Sequence, residues 1–448
     1  MKALMMIRKL GTLFVAGMLL VPCWVSAQDN RIDQIRSDAP ELAAYGQHRV
    51  GVTSLNLLNP RQVDILNSKP GGETVYYDRP LTVEIWYPAT LKPQQAPGGK
   101  YQTYLRDGKT EISLSGQAVR DAAPDKQHGP YPLLIVSHGY PGNRYLLSHL
   151  TENLASKGYV VVAIDHTDSN YHDLKAFSST LLNRSLDQLF VLNQMAALNK
   201  VDASARFNGL INADNTGLIG YSMGGYGVVN TIGGGLTAAS VDGAFVPNRA
   251  LAVRQAGNAA YLASQDRRIK AAVAFAPWGW NAGLWDAAGL SAIRTPVFFV
   301  AGSVDDISGY APGVRNIYEN SVNARRYLLT FENANHNAGA PIPAPKEAWL
   351  PVPSMKKIPA ETYIDAVWDN NRMNNIAQHF VTAFLAKYLK NDNSMDAYLD
   401  LAENARDGKW SVDANGQPKP DHTYWKGFPA RTAAGLKLEK KLPVAKSP

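Results

Sequence analysis

Gly217-Leu218-Ile219-Gly220-Tyr221-Ser222-Met223-Gly224-Gly225 is the stretch on which the reading of this chain turns. An apolar run ends in a glycine, Tyr221 and Ser222 follow, and a small-residue helical segment begins at Met223. A serine between strand and helix, with glycine two positions before and after it, predicts a sharp turn that lifts its hydroxyl above a sheet. The same glycines also occur in plain βα turns, so the chemistry must be sought in what surrounds them.

Outward from that turn, short apolar runs alternate with helical segments. Residues 133–137, 159–164, 217–220, 270–275, 297–301 and 327–331 read as strands. Residues 144–157, 182–199 and 375–389 read as helices, the last with Ile376, Phe380, Phe384 and Tyr388 on one face. Continuous apolar strands separated by helices predict an α/β fold, a mostly parallel sheet covered by helices on both faces. Residues 28–127 read as a largely irregular, β-rich lead-in, with strands at 49–55 and 81–87. The catalytic core is expected over 128–392, interrupted at about 233–268 and 340–359 by lid-like insertions, with a C-terminal extension over 393–448.

A serine hydroxyl is a weak nucleophile that needs a base, itself held by an acid. Where such a serine sits on a parallel sheet, the acid and then the histidine follow later strands. Three histidines follow Ser222: His379 lies inside the last helix, His422 in a polar tail, and His336 in the loop after strand 327–331. His336 is therefore the expected base. After strand 297–301 stand Asp305-Asp306-Ile307. Asp305 is preferred because an acid, any residue, then Ile or Val fits this turn, and Asp306 is the alternative. Backbone donors for an oxyanion are expected from Met223 and from Tyr140, in the loop after strand 133–137. His138 reads as a packing residue under that loop. His166, Asp168, His172 and Asp173 cluster after strand 159–164 but share no ligand register, so neither a metal nor another cofactor is expected.

Composition narrows the classes further. Lys2, Arg8 and Lys9, an apolar run over 10–21 and Val25-Ser26-Ala27 have the form of a secretory signal peptide over 1–27, implying a periplasmic or secreted protein with no membrane span after cleavage. Cys23, the only cysteine, follows Pro22, which disfavours lipidation, and its removal leaves no thiol for catalysis or metal binding. The formal charge of +7 falls to about +4 without the leader, and no basic stripe with interleaved aromatics suggests nucleic acid.

Ser137-His138-Gly139-Tyr140 and the run from Leu154 to His166 resemble dienelactone-hydrolase-related and platelet-activating-factor-acetylhydrolase-like enzymes of the α/β-hydrolase superfamily. Gly220–Gly225 and Ala276-Pro277-Trp278 are also similar to cutinase-like polyester hydrolases. The resemblance implies a serine hydrolase acting on a small-molecule ester, oxyanion amides at Tyr140 and Met223, and Trp278 as a wall for the acyl group. Trp280 and Trp285 would extend that wall or pack in the core. The open alternatives are an acetylhydrolase-type phospholipase, a polyester hydrolase, a peptidase of the same fold and a non-catalytic binding protein.

Overall fold

The computed structural model describes residues 30–200, 206–243 and 245–444. The leader reading, Cys23 included, lies outside them. The main sheet is mixed. Its strands are β1 (Arg49–Val63), β2 (Tyr76–Thr90), β3 (Tyr131–Ser137), β4 (Val160–Asp165), β5 (Ile211–Tyr221), β6 (Ile269–Phe275), β7 (Val297–Gly302), β8 (Arg326–Phe331) and β9 (Leu436–Lys441). They lie in the order β9-β8-β7-β6-β5-β3-β4-β2-β1, with Val119–Arg120 outside β1. The strands β3 to β8 run parallel to one another, and the flanks add antiparallel pairings, β2 with β4, β1 with β2 and β9 with β8.

Alternation along the central strands explains the layers. In β3, Leu134 and Val136 face a core shared with helices α1 (Ser148–Ser156) and α4 (Asn370–Leu389). Leu133 and Ile135 face the opposite core, shared with α2 (Phe177–Leu198). The helix α3 (Met223–Thr231) lies on that second face. Burial on both sides is why these strands read as unbroken apolar runs. Helix α4 begins five residues before its expected start, because the Asp369 side chain caps it by accepting from the Arg372 N–H at 2.8 Å.

Three segments depart from the expected layout. The lead-in is not irregular: β1 and β2 form a hairpin of two 15-residue strands, and β2 pairs with β4 in the main sheet. The strands Lys100–Tyr104 and Glu111–Ser115 form a hairpin in a separate three-stranded sheet with Asn30–Arg31. The C-terminal extension returns to the main sheet as β9, paired with β8.

Candidate active site

Register aligns the carboxyl ends of the central strands: Gly220 of β5 pairs with Ser137 of β3 and with Ala274 of β6. Loops leaving these ends therefore converge on one spot, the usual place for a site on an open parallel sheet. Ser222 follows β5 at φ 55°, ψ −113°, in a region that costs a non-glycine residue about 1–3 kcal/mol. The surroundings hold it there. Its N–H donates to the Phe275 carbonyl at 2.9 Å, and its own carbonyl accepts from the Trp278 N–H at 3.2 Å. A Cβ on Gly224 would stand 2.0 Å from the Ser137 carbonyl oxygen, and one on Gly220 would stand 2.2 Å from that of Gly224. The two glycines of the motif are thus required by close backbone approach.

The Ser222 Oγ lies 2.9 Å from His336 Nε2. His336 Nδ1 lies 3.0 Å from each Asp305 carboxylate oxygen. An ionised carboxylate only accepts, so the imidazole proton belongs on Nδ1, leaving Nε2 to accept from the serine hydroxyl. Burial pushes the Asp305 carboxyl up, but the His336 ring and the Ile307 and Ser308 amides outweigh it and hold it below the usual carboxylate range. Those amides donate to Oδ1 at 2.9 and 2.8 Å. Asp306, the alternative acid, is exposed on the cavity wall and makes no such bond to His336.

The loops that carry Asp305 and His336 are tied to each other. The Val304 N–H donates to the Ala334 carbonyl at 3.0 Å, and the Asn333 N–H to Ser303 Oγ at 2.8 Å. The Tyr221 ring packs at 5.2 Å from His336, and its hydroxyl donates to Asn337 Oδ1 at 3.0 Å.

Tyr140 stands in the loop after β3, beside Ser222 on the same cavity wall. Met223 opens α3, where a first-turn N–H has no partner within its own helix. Beneath the Tyr140 loop lies a group that sequence patterning missed. Arg184 of α2, 1% exposed, donates to the carbonyls of His138 and Gly139, the latter at 2.8 Å, and to Ser169 Oγ at 2.8 Å. Burial lowers its pKa to about 9, so it remains charged at neutral pH. His138 is buried beneath the same loop, as expected. His166 joins Ser137 Oγ (2.7 Å) to Asp187 (2.8 Å), which pairs with Arg79 at 2.9 Å. Asp168 also pairs with Arg79, at 3.0 Å, while His172 stacks on Tyr104. The expected histidine–aspartate cluster is therefore divided between a buried ion-pair network and a surface ring contact. Among the described residues no group of three or more His, Cys, Asp or Glu side chains is placed to hold a metal ion.

A cavity of about 460 Å³ opens over Ser222 and His336. Its walls include Tyr140, Tyr171, Arg106 and the segment from Met355 to Ile358. Among the described residues of the two insertions, those of 340–359 reach this cavity, whereas 233–268 packs its Leu236, Val241 and Leu251 into the core beside α2 and α3. Trp278 does not line the cavity. It stands behind, in an aromatic chain with Phe177 (5.4 Å) and Tyr140 (4.9 Å between the last two rings). Trp285 is a core residue whose indole N–H donates to Asn230 Oδ1 at 3.0 Å, and Trp280 packs at the margin of the same core.

Residues 109–397 match the family model for platelet-activating factor acetylhydrolase, isoform II. The chain belongs to that family. The matched segment spans Tyr140, Ser222, Asp305 and His336, and excludes Arg106, β1, β2 and β9. Among curated proteins the chain is similar to Cutinase 2 of Thermobifida cellulosilytica, 25% identical over 215 residues, covering 48% of this chain and 63% of that protein. It is also similar to Cutinase est1 of Thermobifida alba, 26% identical over 216 residues, covering 48% and 56%. The chain thus spans little more than half the length of the curated relatives it matches. A solved ferulic acid esterase from Streptomyces cinnamoneus superposes with a TM-score of 0.52 at 20% identity, covering 80% of this chain and 96% of that one. That superposition establishes the α/β-hydrolase fold.

Proposed function

We propose that this family member is a serine carboxylic-ester hydrolase acting on a small to medium apolar or aryl ester, with catalysis housed in residues 128–392. The reading rests on one observation, the unbroken line from Ser222 Oγ through the His336 ring to the Asp305 carboxylate. Ser222 attacks the ester carbonyl as His336 Nε2 takes its proton, and Asp305 stabilises the imidazolium that forms. The carbonyl oxygen becomes an oxyanion, held by the Tyr140 and Met223 amides. Collapse of the tetrahedral species breaks the bond to the alcohol, which leaves with the proton from His336. Water then attacks the acyl-enzyme with His336 again as base, releasing the acid and restoring Ser222.

The family description favours one second reading, cleavage of an acetyl group from a phospholipid. A cavity walled by Met355–Ile358 suits a compact ester better than a polymer chain, so the polyester reading suggested by the cutinases ranks lower. Export to the periplasm or medium remains part of the proposal, on the strength of the basic and apolar leader.

The test is hydrolysis of p-nitrophenyl esters from acetyl to palmitoyl by the wild type and Ser222→Ala. Turnover that disappears in the variant supports the mechanism, and the chain length at which rates fall sizes the cavity. Equal turnover by both proteins would refute it. An acetyl-only profile that extends to a short sn-2 acyl phospholipid would favour the second reading.

A further inference from the structure

Resting on the serine-hydrolase reading, the structure assigns Arg106 as the group that selects an ester carrying a second, anionic oxygen group such as a carboxylate. Arg106 lies in the turn of the accessory hairpin, between Lys100–Tyr104 and Glu111–Ser115, and lines the cavity over Ser222. It is half-buried, yet among the described residues its guanidinium has neither a hydrogen-bond nor an ion-pair partner. A guanidinium withdrawn from water without a partner gives up solvation that a bound anion would restore.

Its position is built. The Asp107 carboxylate ties the turn by accepting from the Lys109 and Thr110 N–H groups at 3.1 and 3.0 Å. Gly108 then presses on the catalytic domain so closely that a Cβ there would stand 2.2 Å from the Tyr171 carbonyl oxygen. Tyr104 stacks on His172, ring centroids 5.2 Å apart, on the same side. Between these contacts Arg106 reaches the electrostatic neighbourhood of the Tyr140, Tyr171, Tyr221 and Tyr363 hydroxyls.

The other charges on the wall leave Arg106 available. Lys357 is paired with Glu361 at 2.9 Å, and Asp306 is exposed on the rim with no ion pair to Arg106 among the described residues. Lys356 is exposed on the same wall and adds to the positive field. A planar guanidinium binds a carboxylate through two parallel bonds, which gives orientation as well as attraction. A substrate anchored at Arg106 would present its ester bond to Ser222 across the cavity.

The test uses two matched pairs, one with the charge on the acyl side and one on the alcohol side. Mono-p-nitrophenyl adipate is compared with p-nitrophenyl hexanoate, and p-acetoxybenzoate with phenyl acetate. In at least one pair the anionic ester should show the higher kcat/KM, through a lower KM, with wild-type protein. Arg106→Gln should lose that preference by about tenfold or more while leaving the neutral esters within about twofold, and Arg106→Lys should restore part of it. Loss of all turnover in Ser222→Ala tests the catalytic reading separately. Neutral esters turned over by Ser222 with no anion preference in either pair, or an equal loss on charged and neutral esters in Arg106→Gln at unchanged Tm, would overturn the assignment of Arg106 alone.

Discussion

At the scale of single residues, the proposed site separates two adjacent carboxylates by what they touch. Asp305 accepts from two amides and from His336, whereas Asp306 faces the cavity. Asp305→Asn should lower kcat by roughly three to four orders of magnitude, because an amide can favour the wrong imidazole tautomer. Asp306→Asn should leave kcat for a neutral ester within about twofold, a surface change outside the hydrogen-bonded line. Steady-state kinetics on p-nitrophenyl butyrate, with circular dichroism as a folding control, separates the two. Ser222, His336 and Asp305 were legible because each follows an apolar strand and carries a residue type that acyl transfer requires. Arg184 was not. An arginine inside a helix carries no sequence signal of its burial, and only the tertiary structure places Arg184 and Asp187 in the interior. Arg106 was equally silent, one cation in a polar turn.

At the scale of elements, helix α2 does more than cover the sheet, because Arg184 supports the Tyr140 loop from below. Arg184→Met keeps the length of the side chain but removes the donor to the His138 carbonyl and leaves the Gly139 carbonyl only its bond from His138 Nδ1 at 2.7 Å. It should destabilise the protein by about 2–4 kcal/mol, measured by urea unfolding. If the loop supplies an oxyanion donor, kcat should fall as well, with KM much less affected. The central strands were readable as apolar runs, since both faces are buried. The sheet margins were not. The distal half of β1 is largely solvent-facing, and Pro60 and Pro80 interrupt the expected strand pattern. Strand β9, Leu436-Lys437-Leu438-Glu439-Lys440-Lys441, has the composition of a basic tail although Leu436 and Leu438 are buried. Its Glu439 pairs with Arg315 at 2.7 Å. Truncation before Leu436 should expose the β8 edge, lowering Tm and promoting aggregation, which thermal melts and light scattering would report.

At the scale of the whole molecule, buried histidines couple folding to acidity. Burial is the leading cause that lowers His149, His166 and His379 to about 3. An unfolded histidine binds its proton near 6.5, so between these values the unfolded chain carries more protons. The stabilising contribution is therefore complete above about pH 6.5 and is lost as pH falls toward 3. Tm should decline over that window. His379→Gln, which retains an acceptor for the Leu42 N–H that His379 Nδ1 now receives at 3.1 Å, should make the decline shallower. An unchanged slope would remove His379 from the cause. The loops after β7 and β8, which carry Asp305 and His336, are laced to each other by backbone and side-chain bonds, while the Ser222 turn is anchored to β6 and meets the His336 loop through the Tyr221 side chain. Thermal motion should then lengthen the serine–imidazole gap before it disturbs the imidazole–carboxylate bond. The downfield Nδ1 proton of His336 should persist in NMR spectra on warming after the serine has lost contact, so that heat uncouples attack from proton transfer while the general base is still correctly posed.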